Sequence, residues 1–194
     1  QVGSNNNYWF WPGMGFANND TAYVFQSRLR NTGKGGMWGF EAVDSLFVAK
    51  IHIPTMELSG YDFLGTKNDI SFNNGVVSDD GFHYIYGIKN NGFGNDLIVA
   101  RFSDANPRSK WEYYNGSAWT TNILDAQKIF AEFTSSFYVF KLKNKYVLIT
   151  TEFSVGCDQG KEIYTYVSET PYGPFTNKTT VWTVDDLKNG HYPF

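Results

Sequence analysis

Cysteine occurs once in the 194 residues, at Cys157. An internal disulfide framework is thereby excluded, as is any metal site built from spaced cysteines. No His sits in a recognisable partner motif, so Cys157 reads as a loop thiol rather than a nucleophile. Charge is also sparse. Charged residues make up 18% of the chain, the net charge is −3, and no Lys/Arg run exceeds two residues. The basic stripes that bind nucleic acid are missing, and nucleic acid is not an expected partner. No apolar run approaches the roughly 18 residues that a membrane-spanning helix needs. Helical periodicity is nearly absent too. Residues 143–150 contain Val147 and Ile149, which favour strand, and only Val184–Lys188 reads as a short helix. The chain opens at Gln1 with no Met and no signal-peptide pattern, which leads us to expect a processed or trimmed segment.

Aromatic side chains, by contrast, are abundant. They form 19% of the chain within a hydrophobic fraction of 42%, a composition that suits one globular domain with a core. The stretch from Asn74 to Trp119 shows how they are arranged. Asp80-Gly81 is a type I′ hairpin signal, because both central residues of that turn need positive φ. Val76 and Val77 precede it, and Phe82, Tyr84 and Tyr86 alternate after it. Leu97-Ile98-Val99-Ala100 follows as a buried-strand run, and Pro107 breaks the pattern. Trp111-Glu112-Tyr113-Tyr114 then leads through Asn115-Gly116 to Trp119. That makes four antiparallel strands in about 45 residues, the plan of one propeller blade.

The plan recurs on both sides. Upstream come Ala22-Tyr23-Val24-Phe25, Leu46–Lys50 and Pro54; downstream come Tyr138–Phe140, Tyr146–Leu148, Glu162–Val167 and Pro171. The second-strand tyrosines Tyr23, Tyr84 and Tyr146 repeat about every 60 residues. A β-sandwich also has short strands and regular turns. It does not usually repeat the order hairpin, apolar strand, Pro and aromatic edge three times. The expected fold is therefore all-β: a β-propeller of four-stranded antiparallel blades, three of them visible. Their approximate limits are 8–66, 70–125 and 130–184 within a single segment 1–194. Rings run from four blades upward, so three blades imply a longer propeller. Trp111, Trp119 and Trp182 accompany outer strands and are expected in the core between blades. His83 is expected to be a structural strand residue.

Several motifs carry a family resemblance. They are Tyr8-Trp9-Phe10-Trp11-Pro12-Gly13, Met37-Trp38-Gly39-Phe40-Glu41, Leu97–Arg101, Trp111–Gly116 and Ser168-Glu169-Thr170-Pro171-Tyr172-Gly173-Pro174-Phe175. With them the chain resembles bacterial five-bladed propeller families catalogued as domains of unknown function. Those families are related to the endo-D-arabinanases and, more distantly, to the arabinanase and levansucrase clan. The resemblance covers essentially the whole chain as the second to fourth of five blades. It implies a secreted protein (extracellular, periplasmic or surface-attached) with a carbohydrate partner and no cofactor, monomeric when its ring is complete.

Glycoside hydrolysis ordinarily needs two carboxyl groups flanking the scissile bond. In the related propellers these open the innermost strands. Here Met14 follows Trp11-Pro12-Gly13, where Asp is common, and Ser135 stands where the clan places a Glu before Tyr138-Val139-Phe140-Lys141. The remaining catalytic candidates are Glu132, Glu152 and Asp158. Glu152 is the best placed, because Thr150-Thr151-Glu152 leaves an apolar strand at the expected channel mouth. For each of them a solvated loop carboxylate is the alternative. Arg28 and Arg30 are suited to hold a sugar hydroxyl or carboxylate, or else to pair with a neighbouring acid. Trp9, Trp11, Trp38, Phe40 and Phe93 sit at strand ends and Gly-rich loops, where aromatic faces stack on sugars. The expected substrate contacts are thus Trp11, Arg28, Trp38, Phe93, Glu41 on the long loop of the first visible blade, and His191. No metal ligand is expected. Asp79, Asp80 and Asp158 offer a calcium alternative, but Asp79-Asp80-Gly81 is explained by its turn. The expected function is hydrolysis of a polysaccharide or oligosaccharide, furanosides included, with non-catalytic carbohydrate binding as the alternative.

Overall fold

The computed structural model describes residues 7–36, 39–92, 94–103, 106–153 and 160–184, with backbone only at 132 and 133. The first sheet has the order β1 (Tyr8–Asn18), β2 (Thr21–Asn31), β3 (Phe40–His52) and β4 (Glu57–Phe63). The second runs β5 (Ser71–Asp79), β6 (Phe82–Asn90), β7 (Asn95–Ser103), β8 (Trp111–Tyr114) and β9 (Trp119–Thr120), with β10 (Lys128–Phe133) also on β7. The third comprises β11 (Phe137–Leu142), β12 (Lys145–Thr151), β13 (Glu162–Ser168) and β14 (Thr176–Thr183). Every pairing is antiparallel. The chain is thus all-β, built from consecutive antiparallel sheets of the kind that form propeller blades.

Turn chemistry places the hairpins. Asp80 and Gly81 have φ of 48° and 74°, Asn19 has φ 48°, and Lys143, rather than its neighbour Asn144, takes φ 56°. The second sheet departs from simple repetition. Its outer strand comes in two pieces: β8 covers Ala100–Phe102, and β10 covers Leu97–Ile98 and Asn95–Asp96. Sequence grouping placed residue 130 at the head of the third unit, but β10 belongs to the second sheet and the third begins at Phe137. The apolar residues of β10 read the same for either sheet, and only the hydrogen-bonded partner distinguishes them.

The inner strands lie side by side, with β5 between β1 and β11. Gly13 makes this contact possible, since a Cβ there would sit 2.1 Å from Asn73 O. Two cores fill the spaces between sheets. Phe25, Leu46 and Val48 of the first sheet meet Phe72, Ile85, Ile98, Phe102 and Trp111 of the second. Tyr84, Tyr86, Leu97 and Val99 of the second meet Val139, Tyr146 and Leu148 of the third. The central sheet is covered on both faces, which explains why Leu97–Ala100 is continuously apolar rather than alternating. Each large side chain so buried contributes on the order of 2–3 kcal/mol of transfer free energy. Tyr86 OH donates to Pro171 O at 2.6 Å, tying the loop before β14 to the second sheet. His83 is a seam residue, stacked on Phe16 with ring centroids 4.1 Å apart.

The tryptophans divide. Trp111 is buried in the first seam and Trp119 packs against the second. Trp182 is 63% exposed and is no part of the described core, contrary to expectation. It pairs with Ile163, one residue out of phase with Tyr164 and Tyr166, and so lies on the face of the third sheet turned away from the second.

Candidate active site

Antiparallel order brings the start of each inner strand, the end of the second strand and the start of the third to one end of a sheet. The inner strands run in the same direction: Gly13 meets Asn73 and Phe16 meets His83, the partner of Ser78, while Asn74 Nδ2 donates to Ser135 O (3.1 Å) and Lys141 Nζ to Asp79. All three sheets therefore present this end together.

On the first sheet, Trp9 and Trp11 meet Phe40 edge to face at centroid distances of 5.8 and 5.0 Å. Trp11 is 50% exposed, so its ring is available to a ligand. Arg28 lies 4.0 Å over the Tyr8 ring. Arg30, its neighbour on the same face, pairs with Glu41, its cross-strand partner. Glu41 is therefore not on a loop: it is the second residue of β3, and its carboxylate is engaged by a guanidinium. That contact raises the pKa of Arg30, mainly through the hydrogen bond. Between the first two sheets, Asn73 Nδ2 donates to Ser27 Oγ at 2.7 Å, and Ser27 Oγ lies 3.2 Å from Ser71 Oγ.

On the third sheet, Thr134 and Thr151 hydroxyls are 2.7 Å apart, and Glu152 follows directly after β12. The N–H of Glu152 donates to Glu162 O at 2.7 Å, and its Oε2 accepts the Lys161 N–H at 2.9 Å. Glu162 Oε2 in turn accepts the Tyr164 hydroxyl at 2.7 Å, while Lys178 Nζ sits 3.5 Å over the Tyr164 ring. The hydroxyl of Tyr164 is held well above its ordinary range, by Glu162 first, then by burial and by Glu152. Glu162 and Tyr164 are candidates that sequence reasoning missed. The available signal was their spacing of two on β13, which puts both side chains on one face.

The remaining expected residues are placed as follows. Glu132 lies in β10, on the outer part of the second sheet. Asp158, Trp38, Phe93, His191 and Cys157 lie outside the described residues, as does most of Val184–Lys188. Asp79 ends β5 at the opposite end, bound by Lys141 Nζ at 2.6 Å and by the Tyr146 hydroxyl. These bonds hold its carboxyl below the usual range and leave it engaged with the protein itself. Among the described residues, no three His, Cys, Asp or Glu side chains gather as a metal site. No helix among them is long and apolar enough to cross a membrane.

Antiparallel sheets of four, six and four strands, packed face to face about parallel inner strands, define the class: the chain is a segment of a β-propeller. It belongs to the family described as Domain of unknown function (DUF5005), which matches residues 2–193. Similar solved structures include a presumed hydrolase from Bacteroides ovatus, with 23% identity and a TM-score of 0.72, covering 92% of this chain and 46% of that one. A family 117 glycoside hydrolase produced by the marine bacterium Zobellia galactanivorans has 14% identity and a TM-score of 0.57, covering 92% and 58%. An arabinanase of Bacillus subtilis has 12% identity and a TM-score of 0.52, covering 92% and 60%. The chain spans less than two thirds of each of these structures, and at such identities the likeness is one of fold. No curated protein matches the sequence.

Proposed function

We propose that the protein is a secreted glycoside hydrolase acting on a polysaccharide or oligosaccharide, furanosides included, at the mouth where the inner strands begin. The observation that carries this reading is strand order, which puts an exposed aromatic platform on the first sheet and a carboxylate group on the third at the same end. Trp11 and Phe40 supply the platform, Glu152 and Glu162 with Tyr164 the carboxylates. Stacking on the platform would hold a sugar ring, and a carboxyl group opposite it would handle protons at the glycosidic oxygen. The likeness to a glycoside hydrolase and an arabinanase supports the substrate class. So does their greater length, which accords with a five-bladed ring whose further sheets bring a second carboxyl group. Reducing-end release from arabinan by the full-length protein tests the reading. Glu152→Gln or Asp158→Asn is expected to lower the rate at least about a hundredfold, and full activity in both variants would remove the assignment.

A second reading, non-catalytic carbohydrate binding, has its own support. Met14 and Ser135 occupy positions where the resembling families carry acids, and one oxygen of Glu152 is taken by a backbone N–H. Glycans that bind the full-length protein yet survive intact select this alternative.

A further inference from the structure

On the outer side of the seam between the first two sheets lies a groove of about 470 Å³. Lys67, Arg108 and Lys110 line it, with Phe63, Trp111 and Tyr113, and no acidic residue is among its described lining. Such a surface is unexpected in a chain of net charge −3. Lys67 belongs to the linker between β4 and β5 and is only 8% exposed. Its Nζ donates to Leu64 O at 2.6 Å and lies 4.6 Å over the Trp111 ring. Burial lowers its pKa, and the nearby Asp44 carboxylate counters this while accepting the Lys67 backbone N–H at 2.7 Å.

The loop that carries Arg108 and Lys110 is held from below. Pro107 is fully buried, and Trp111 Nε1 donates to its carbonyl at 2.8 Å. The Arg108 N–H donates to Asn106 Oδ1 at 3.0 Å, and Ser109 Oγ donates to Ser103 O at 3.2 Å. The two cations therefore stand on fixed backbone, which reduces the ordering cost of binding. Among the described residues Arg108 has one ion-pair contact, Asp62 at 3.8 Å, and Asp62 is held more closely by Lys50 at 3.1 Å. The guanidinium fork is largely available, and it matches a carboxylate bidentately. Phe63, 57% exposed, supplies an apolar ring face at the rim.

We infer that this outer groove binds an acidic saccharide: a uronate residue whose carboxylate meets Arg108 and Lys110 while its ring lies against Phe63. In choosing a saccharide the inference rests on the carbohydrate reading above. The groove is bordered by the outer strands β4 and β8 rather than by the inner strands, and would anchor a glycan chain beside the mouth.

Calorimetry on the full chain with a galacturonate trimer and a neutral galactose trimer tests this. The acidic trimer is expected to bind at least about tenfold more tightly, a preference that shrinks as salt rises from about 0.05 to about 0.5 M. Arg108→Ala/Lys110→Ala changes exposed side chains and should leave the melting temperature in place while abolishing the preference. Equal affinity of the acidic trimer for both proteins would overturn the inference, as would a sulfated trimer that binds where the galacturonate does not. The neutral trimer, and hydrolysis read on the Glu152 variant, report on the mouth alone, so failure of the groove and failure of the glycosidase reading are distinguishable.

Discussion

Gly13 and Phe25 are two positions where side-chain size has a clear energetic consequence. Adding a Cβ at Gly13 would drive it to 2.1 Å from Asn73 O, so β1 and β5 would have to move apart. Gly13→Ala is expected to cost about 1–3 kcal/mol, seen as a lower denaturation midpoint at unchanged slope; an unaltered midpoint would show that the strands can slide. Phe25 is fully buried among Phe102, Trp111 and Phe16. Phe25→Ala is expected to cost about 3–5 kcal/mol. Exposed Trp182→Ala, on the outer strand of the third sheet, should stay within about 0.5 kcal/mol. Equal losses at the two sites would mean that the face carrying Trp182 is covered in solution. Both residues were legible as members of aromatic motifs. Their difference in burial was not, because it depends on which face of its sheet each one occupies.

Strand ends determine how neighbouring sheets are tied. At the end away from the mouth, Asp79 joins β5 to the β11–β12 hairpin through Lys141 and Tyr146. The folded protein holds this carboxyl below its ordinary 3.8, with the Lys141 bond the largest cause. A carboxyl depressed in the folded state binds its proton more readily when unfolded. Its stabilisation is therefore present above the ordinary value and lost as pH falls through the lower folded one. The protein should weaken on acidification below about pH 4. Lys141→Met should flatten that acid-side drop while lowering stability at neutral pH. Denaturation midpoints at pH 7 and pH 3 decide the matter, and an identical drop in both proteins would assign it to other acids. Asp79-Asp80-Gly81 was legible as a turn from its own residues. Its role as a tie between sheets was not, because the partners lie more than sixty positions away.

The second sheet contributes to both cores, so neither outer sheet has an apolar interior of its own. Unfolding is expected to be a single transition, with far-UV circular dichroism and tryptophan fluorescence coincident. Two separated transitions would show that one seam opens before the other. The same shared packing creates the functional candidates. The proposed mouth is the end at which the three inner strands begin, and the cationic groove forms where the linker at Lys67 and the loop at Arg108 line one cavity.

Fold class, strand positions and hairpin turns followed from the amino-acid sequence, because alternation and positive-φ turn residues are local properties. The recurrence of Tyr23, Tyr84 and Tyr146 on second strands reflects that same local patterning. The tertiary arrangement alone assigned β10 to the second sheet, engaged Glu41 with Arg30 and brought Lys67, Arg108 and Lys110 to one groove with no acidic residue in its described lining. Each of these depends on which strand lies beside which, and alternation along a strand carries no information about its neighbour.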